Sequence, residues 1–186
     1  MMRRFVAALA LVLLAACQAT PSGGEAATRE PFDAREYRLG AGDELRVSVF
    51  GEPDLSGVVT VDGRGDVTLP LIGQVEAESL TGAELAAAVT DALKEGYLRD
   101  PRVTVEVTAY RPYFILGEVT RPGTYPYQNG LTVLNAVATA EGFTYRANER
   151  VVFIRRDGEE AERRFDLDST TPVRPGDTIR IGERFL

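Results

Sequence analysis

Apolar residues recur at every second position in several short stretches of this chain and at helical spacing in two others, which predicts strands interrupted by two helices. Leu45, Val47 and Val49 alternate with Arg46 and Ser48 over 44–50, the period of a strand with one buried face. The runs 58–61 and 67–71 flank Asp62-Gly63-Arg64-Gly65-Asp66, and two glycines among polar residues predict a hairpin turn joining them. The embedded Arg-Gly-Asp could be an adhesion motif, but turn chemistry accounts for all three residues. Thr81 and Glu84 have the spacing of a capping box, and Leu80 and Leu85 that of a hydrophobic staple. Leu85, Val89 and Leu93 then follow on one helical face, and Gly96 supplies a stop. Val103, Val105 and Val107 alternate with Thr104, Glu106 and Thr108 as a further strand.

A second set of elements begins at Tyr113. Residues 113–116 read as a short apolar strand and 121–123 as a turn. Thr132 caps a helix carrying Leu134, Val137 and Ala138 that stops at Gly142. The runs 151–154 and 162–167 flank Asp157-Gly158 as a hairpin, and 178–181 forms a closing strand. The expected fold class is therefore α+β: two small α/β sandwich-like units, 37–110 and 111–186, the second β-grasp-like with one helix packed on a sheet. One internal echo links them. Gly40-Ala41-Gly42-Asp43 and Arg174-Pro175-Gly176-Asp177 each lead into an alternating strand. Gly permits the turn and Asp can accept nearby backbone amides, although an ionic or metal role for Asp43 or Asp177 is the alternative.

The first residues speak to compartment. Arg3 and Arg4, an apolar run over 5–16 and small residues before Cys17 have the layout of a secretory signal. Twelve residues rise only about 18 Å as a helix, short of the bilayer core. Leu14-Ala15-Ala16-Cys17 also resembles a bacterial lipobox, which implies a signal peptide over 1–16, cleavage before Cys17 and lipid attached there. Gln18 after the cysteine implies transfer to the outer membrane. The alternative is a plain signal peptide with an incidental cysteine. Residues 17–36 are rich in Ala, Thr, Pro, Ser and Gly and read as a flexible tether.

Composition narrows the chemistry. With no His and one Cys, the chain cannot build a Ser-His-Asp or Cys-His arrangement, a His-ligated metal site or an internal disulfide. No cofactor or metal is indicated. The net charge of −7 argues against nucleic acid, whose phosphates require clustered Lys and Arg.

The run from Tyr37-Arg38-Leu39-Gly40-Ala41-Gly42-Asp43 through 62–73 and the capped helix to Asp100-Pro101-Arg102-Val103 resembles the periplasmic domain of bacterial polysaccharide export proteins. Gly117-Glu118-Val119-Thr120-Arg121-Pro122-Gly123-Thr124-Tyr125, Glu141-Gly142-Phe143 and Pro175-Gly176-Asp177-Thr178 resemble the soluble-ligand-binding β-grasp (SLBB) domain that follows it in that family. The resemblance covers about 37–181. It implies a non-catalytic outer-membrane lipoprotein whose folded part stands in the periplasm. Homo-oligomeric rings of it would conduct capsular or exopolysaccharide outward, with an inner-membrane polysaccharide copolymerase as partner. The chain departs from the best-known members in having one β-grasp domain where they have several.

Five residues, 182–186, follow the last predicted strand, whereas a membrane helix needs about 20 apolar residues and a barrel strand about 9 to 11. The expectation is that a separate outer-membrane pore protein makes the crossing. Two other function classes compete with export. A carboxylate-only enzyme could use Asp62, Asp66 and Glu76. A periplasmic small-molecule or saccharide-binding module could stack sugar rings on Tyr110, Tyr113, Tyr125 and Tyr127, although packing where the two units meet is the favoured account of those rings.

Overall fold

The valine alternation ahead of Phe50 builds β1 (Glu44–Val49), in which Leu45, Val47 and Val49 are buried while the residues between them face solvent. In the computed structural model, which describes residue 33 and residues 35–184, β1 is the centre of a three-stranded antiparallel sheet. Its neighbours are β2 (Gly57–Thr60), after a 3-10 turn at Pro53–Leu55, and β5 (Val103–Ala109). The expected signal peptide over 1–16, Cys17, most of the expected tether over 17–36, and Phe185 and Leu186 lie outside the described residues.

The helix α1 (Gly82–Lys94) begins as its sequence requires. The Thr81 hydroxyl accepts the Glu84 amide at 3.2 Å and the Glu84 carboxylate accepts the Thr81 amide at 2.7 Å, so two orphan donors of the first turn are satisfied. Leu85, Val89 and Leu93 all point inward with 2 % exposure or less. They join Leu39, Leu45, Val47, Val67 and Leu69 in one core, each such side chain contributing about 1.5–3 kcal/mol through its burial.

The hairpin expected across 62–66 does not form. The turn is there: the Asp62 amide donates to the Asp66 carbonyl at 2.8 Å, and the Asp62 carboxylate accepts the amides of Arg64 and Asp66. Instead of pairing with each other, its two arms enter different sheets. β2 pairs with β1, whereas β3 (Asp66–Leu69) pairs with β4 (Gly73–Glu76) as a separate two-stranded sheet. The cause lies at the left-handed residue Gly65, whose carbonyl receives the amides of Ala77 and Glu78 and so draws the segment after β4, not β2, against β3.

The second core is built on a five-stranded mixed sheet in the order β7-β6-β10-β8-β9. Its strands are β6 (Tyr113–Gly117), β7 (Gly123–Tyr125), β8 (Ala147–Arg155), β9 (Arg163–Asp166) and β10 (Thr178–Glu183). β10 runs parallel to β6 and antiparallel to β8. One face is covered by α2 (Val133–Thr139), capped by the Thr132 hydroxyl. The buried face of α2 is Val133, Ala136 and Val137, with Ala140 following, so that Val137 is buried as expected while Leu134 and Ala138 are not. Ala136 and Ala140 share one core with Ile115, Ile154 and Ile179, and Leu134 is left half-buried. The molecule is mixed α+β, and its second unit is β-grasp-like in having one helix on one sheet.

Candidate functional site

The two Gly-Asp loops lie against the linker between the cores and bring Asp43 and Asp177, the buried carboxylates among the described residues, to one junction. In the first loop the Asp43 side chain is fully buried and accepts the Gly40 amide at 2.9 Å. The Tyr37 hydroxyl lies 2.8 and 2.7 Å from its two oxygens and donates to the carboxylate. Burial, then the adjacent Asp43 charge, pushes the Tyr37 hydroxyl far above its ordinary value. In the second loop Asp177 is also fully buried, accepts the Arg174 amide at 2.7 Å and pairs with the Arg156 guanidinium. Its Oδ1 has no hydrogen-bond partner among the described residues. Burial outweighs the Arg156 pairing and raises the Asp177 carboxyl to about 6. Burial likewise lowers Arg156, which lies 5.6 Å from the Phe165 ring.

Arg111 joins the two halves. Its backbone amide donates to Asp43 Oδ1 at 2.7 Å and its Nη1 to Asp43 Oδ2 at 3.3 Å, while Nη2 pairs with Asp157 Oδ2 at 2.9 Å. The guanidinium also lies 5.5 Å from the Tyr37 ring. Next to it in sequence, Tyr110 packs edge-on between Tyr37 and Tyr127, at 5.0 and 5.5 Å between centroids, and touches both cores. Pro112 completes the linker by accepting the Gly176 amide at 3.1 Å. Two clefts open on this junction and both are lined by Arg111 and Asp157. The smaller, about 270 Å³, adds Tyr37, Arg156, Arg174 and Asp177. The larger, about 530 Å³, adds Leu39, Glu78, Phe114 and the backbone of Gly40, Gly158 and Gly176. Such walls offer ion pairing and hydrogen bonding to a hydroxylated or charged chain passing over them.

Cys17 lies outside the described residues. The four tyrosines form two separate groups. Tyr110 meets Tyr127 at the junction, whereas Tyr113 stacks on Tyr125 at 5.9 Å and 25° beside β7. Tyr113 and Tyr127 are buried and Tyr110 and Tyr125 half-buried. The Tyr125 hydroxyl donates to the Arg121 carbonyl at 2.8 Å, and burial pushes the Tyr127 hydroxyl up to about 12. Asp62 is committed to turn amides, which with Arg64 hold its carboxyl below the usual range, while Asp66 and Glu76 face each other across β3 and β4. Arg111 and Arg156 are the junction residues that the sequence does not single out. The Asp43 and Asp177 loops are visible there as an echo, and the turn and ionic readings of them hold together: each aspartate takes turn amides and a guanidinium.

Comparison with known proteins identifies two domains along the chain. Residues 33–108 match the family model described as polysaccharide biosynthesis/export protein, and residues 112–164 match the SLBB domain. The exopolysaccharide production protein ExoF of Rhizobium meliloti is 39% identical over 121 residues, 59% of this chain and 29% of the relative. The polysialic acid transport protein KpsD of Escherichia coli is 26% identical over 159 residues, 80% of this chain and 28% of the relative. The EPS I polysaccharide export outer membrane protein EpsA of Ralstonia nicotianae is 29% identical over 167 residues, 82% of this chain and 42% of the relative. The chain therefore spans well under half the length of the curated relatives it matches. The chain thus joins a polysaccharide biosynthesis/export domain over 33–108, which contains the Asp43 loop, to an SLBB domain over 112–164, and the Asp177 loop follows the matched residues.

Proposed function

We propose that this protein is a non-catalytic component of a capsule or exopolysaccharide export conduit at the outer membrane, with its folded units in the periplasm. The observation that carries the reading is the succession of an export domain and an SLBB domain over 33–164, shared with relatives named for polysaccharide export and transport. Copies of the chain assemble as a ring, polysaccharide passes through it, and an inner-membrane copolymerase delivers the polymer. Lipid on Cys17, the sole cysteine, anchors the assembly. Tyr110 and Tyr125, which keep some surface, are the tyrosines of the four best placed for saccharide contact. Deleting the gene and complementing it tests the function. Surface polysaccharide should vanish and polymer accumulate inside the cell, and unchanged surface polymer overturns the reading. The mass of the detergent-extracted assembly tests the ring, since a monomeric mass contradicts it. Cys17→Ser should abolish outer-membrane fractionation, and normal fractionation refutes the anchor.

A second reading, a saccharide-binding module, draws support from the 530 Å³ cleft at the junction. Calorimetry of the purified protein with oligosaccharide fragments decides it: saturable binding by a monomer favours the module, and no heat at millimolar ligand removes it.

A further inference from the structure

We infer that Arg111 is the positioning residue that fixes the angle between the export domain and the SLBB domain. This goes beyond the export reading and does not depend on which polymer is carried. Arg111 stands in the linker, with one arm of its guanidinium on each side. Nη1 holds Asp43 in the loop that launches β1, and Nη2 holds Asp157 in the turn between β8 and β9. The base of the side chain is fixed too, because its own amide donates to Asp43. A planar fork anchored at both tips, on a residue whose backbone is also held, has direction as well as strength, unlike a ring packed on rings. Tyr110, between Tyr37 and Tyr127, supplies apolar contact at the same junction, and edge-on rings tolerate sliding that a forked ion pair does not.

The surroundings leave the fork one seat. The Arg111 side chain is only 15 % exposed. A Cβ at Gly40 would lie 2.2 Å from Nη1, and one at Gly176 would lie 2.8 Å from Nε and 2.9 Å from the Asp157 Cβ. Glycines from both Gly-Asp loops thus open the space in which the guanidinium lies, one from each domain. Asp43 carries the stronger half of the clasp, since it is fully buried. Asp157 is 53 % exposed, so it can be altered without leaving a buried charge.

The test measures the angle rather than stability. Spin labels at Tyr97→Cys in the first unit and Tyr145→Cys in the second, both on exposed positions, are placed in full-length protein with Cys17→Ser so that they are the only thiols. Double electron–electron resonance should give one narrow distance distribution in this parent. Asp157→Asn and Arg111→Ala should each broaden it at least twofold while far-ultraviolet circular dichroism stays native. Arg111→Lys should remain broad, because one ammonium cannot hold both carboxylates in a fixed plane. If Arg111→Ala does not fold, Asp157→Asn decides alone. Distributions as narrow as the parent's in folded Asp157→Asn overturn the inference. The measurement is made on isolated protein, so its outcome is separable from any failure of the export proposal.

Discussion

Asp43 and Asp177 hold the same post in the two halves of the molecule. Each is fully buried, follows a glycine with φ near +90° or +80°, accepts the amide of the residue three before it, and hands the chain directly into a strand. Each also carries an arginine brought from elsewhere in the chain, Arg111 for one and Arg156 for the other. The shared turn explains the shared residues, and the shared guanidinium explains how a carboxylate tolerates that depth.

Asp43→Ala should be among the most damaging single changes. It leaves the Tyr37 hydroxyl and the Gly40 amide without their acceptor and the Arg111 guanidinium with Asp157 alone, at a cost of about 3–5 kcal/mol for removing one partner of a buried ion pair. Chemical denaturation followed by circular dichroism measures it, and a loss below about 1 kcal/mol would mean that the carboxylate is not the anchor described.

Asp177 predicts a pH dependence of unusual sign for a carboxylate. Its folded value is raised from 3.8 to about 6, so the native state binds the proton more tightly than the unfolded chain does. The associated stability is fully present below about pH 3.8 and is lost as pH rises through about 6. At about 1.4 kcal/mol per unit the swing is on the order of 3 kcal/mol. Unfolding free energies of wild type and Asp177→Asn should therefore diverge between pH 4 and 6, with wild type losing ground as pH increases. Parallel curves across that window would refute the assignment.

Leu85→Ala should cost about 2–5 kcal/mol, because Leu85 is fully buried beneath α1 and its removal leaves a cavity in the first core. Urea titration checks it. A midpoint equal to wild type would place the helix face elsewhere.

Gly117→Ala acts through the backbone. At φ +88° an added Cβ would lie 2.1 Å from the Ile181 carbonyl oxygen, which also accepts the Glu118 amide at 3.0 Å. The left-handed conformation alone costs about 1–3 kcal/mol, and the contact forces β6 away from β10. Hydrogen exchange should show the Glu118 amide losing protection before the amides of β1. Retained protection at Glu118 would show that the strands absorb the methyl group.

Much of the fold is written locally. The capping box at Thr81 and Glu84 and the Leu85, Val89, Leu93 face need only neighbours within one helix, and alternation in β1 reports burial strand by strand. Pairing is less legible. The Asp62–Asp66 segment is plainly a turn from its residues, but which strands it serves depends on the Gly65 carbonyl and on β4, whose Gly-Gln-Val-Glu carries almost no apolar signal. On α2, alanine and leucine offer two faces of similar strength, and the one that is buried carries Val133, Ala136 and Val137. At the junction the aspartates announce themselves by their turns. Arg111 does not, since its role arises from a contact across 68 positions and a lone arginine after a valine-rich strand looks like any solvated charge.

Between the end of β5 at Ala109 and the start of β6 at Tyr113 there are three residues, and none is idle. Tyr110 is packed in both cores, Arg111 is held at three points, and the Pro112 carbonyl is taken by Gly176. The connection has no slack. Surface loops usually absorb an extra residue at small cost, but here a single inserted glycine would displace every contact downstream of it. Lengthening and shortening, rather than substitution, are therefore the changes this crossing is least able to accept.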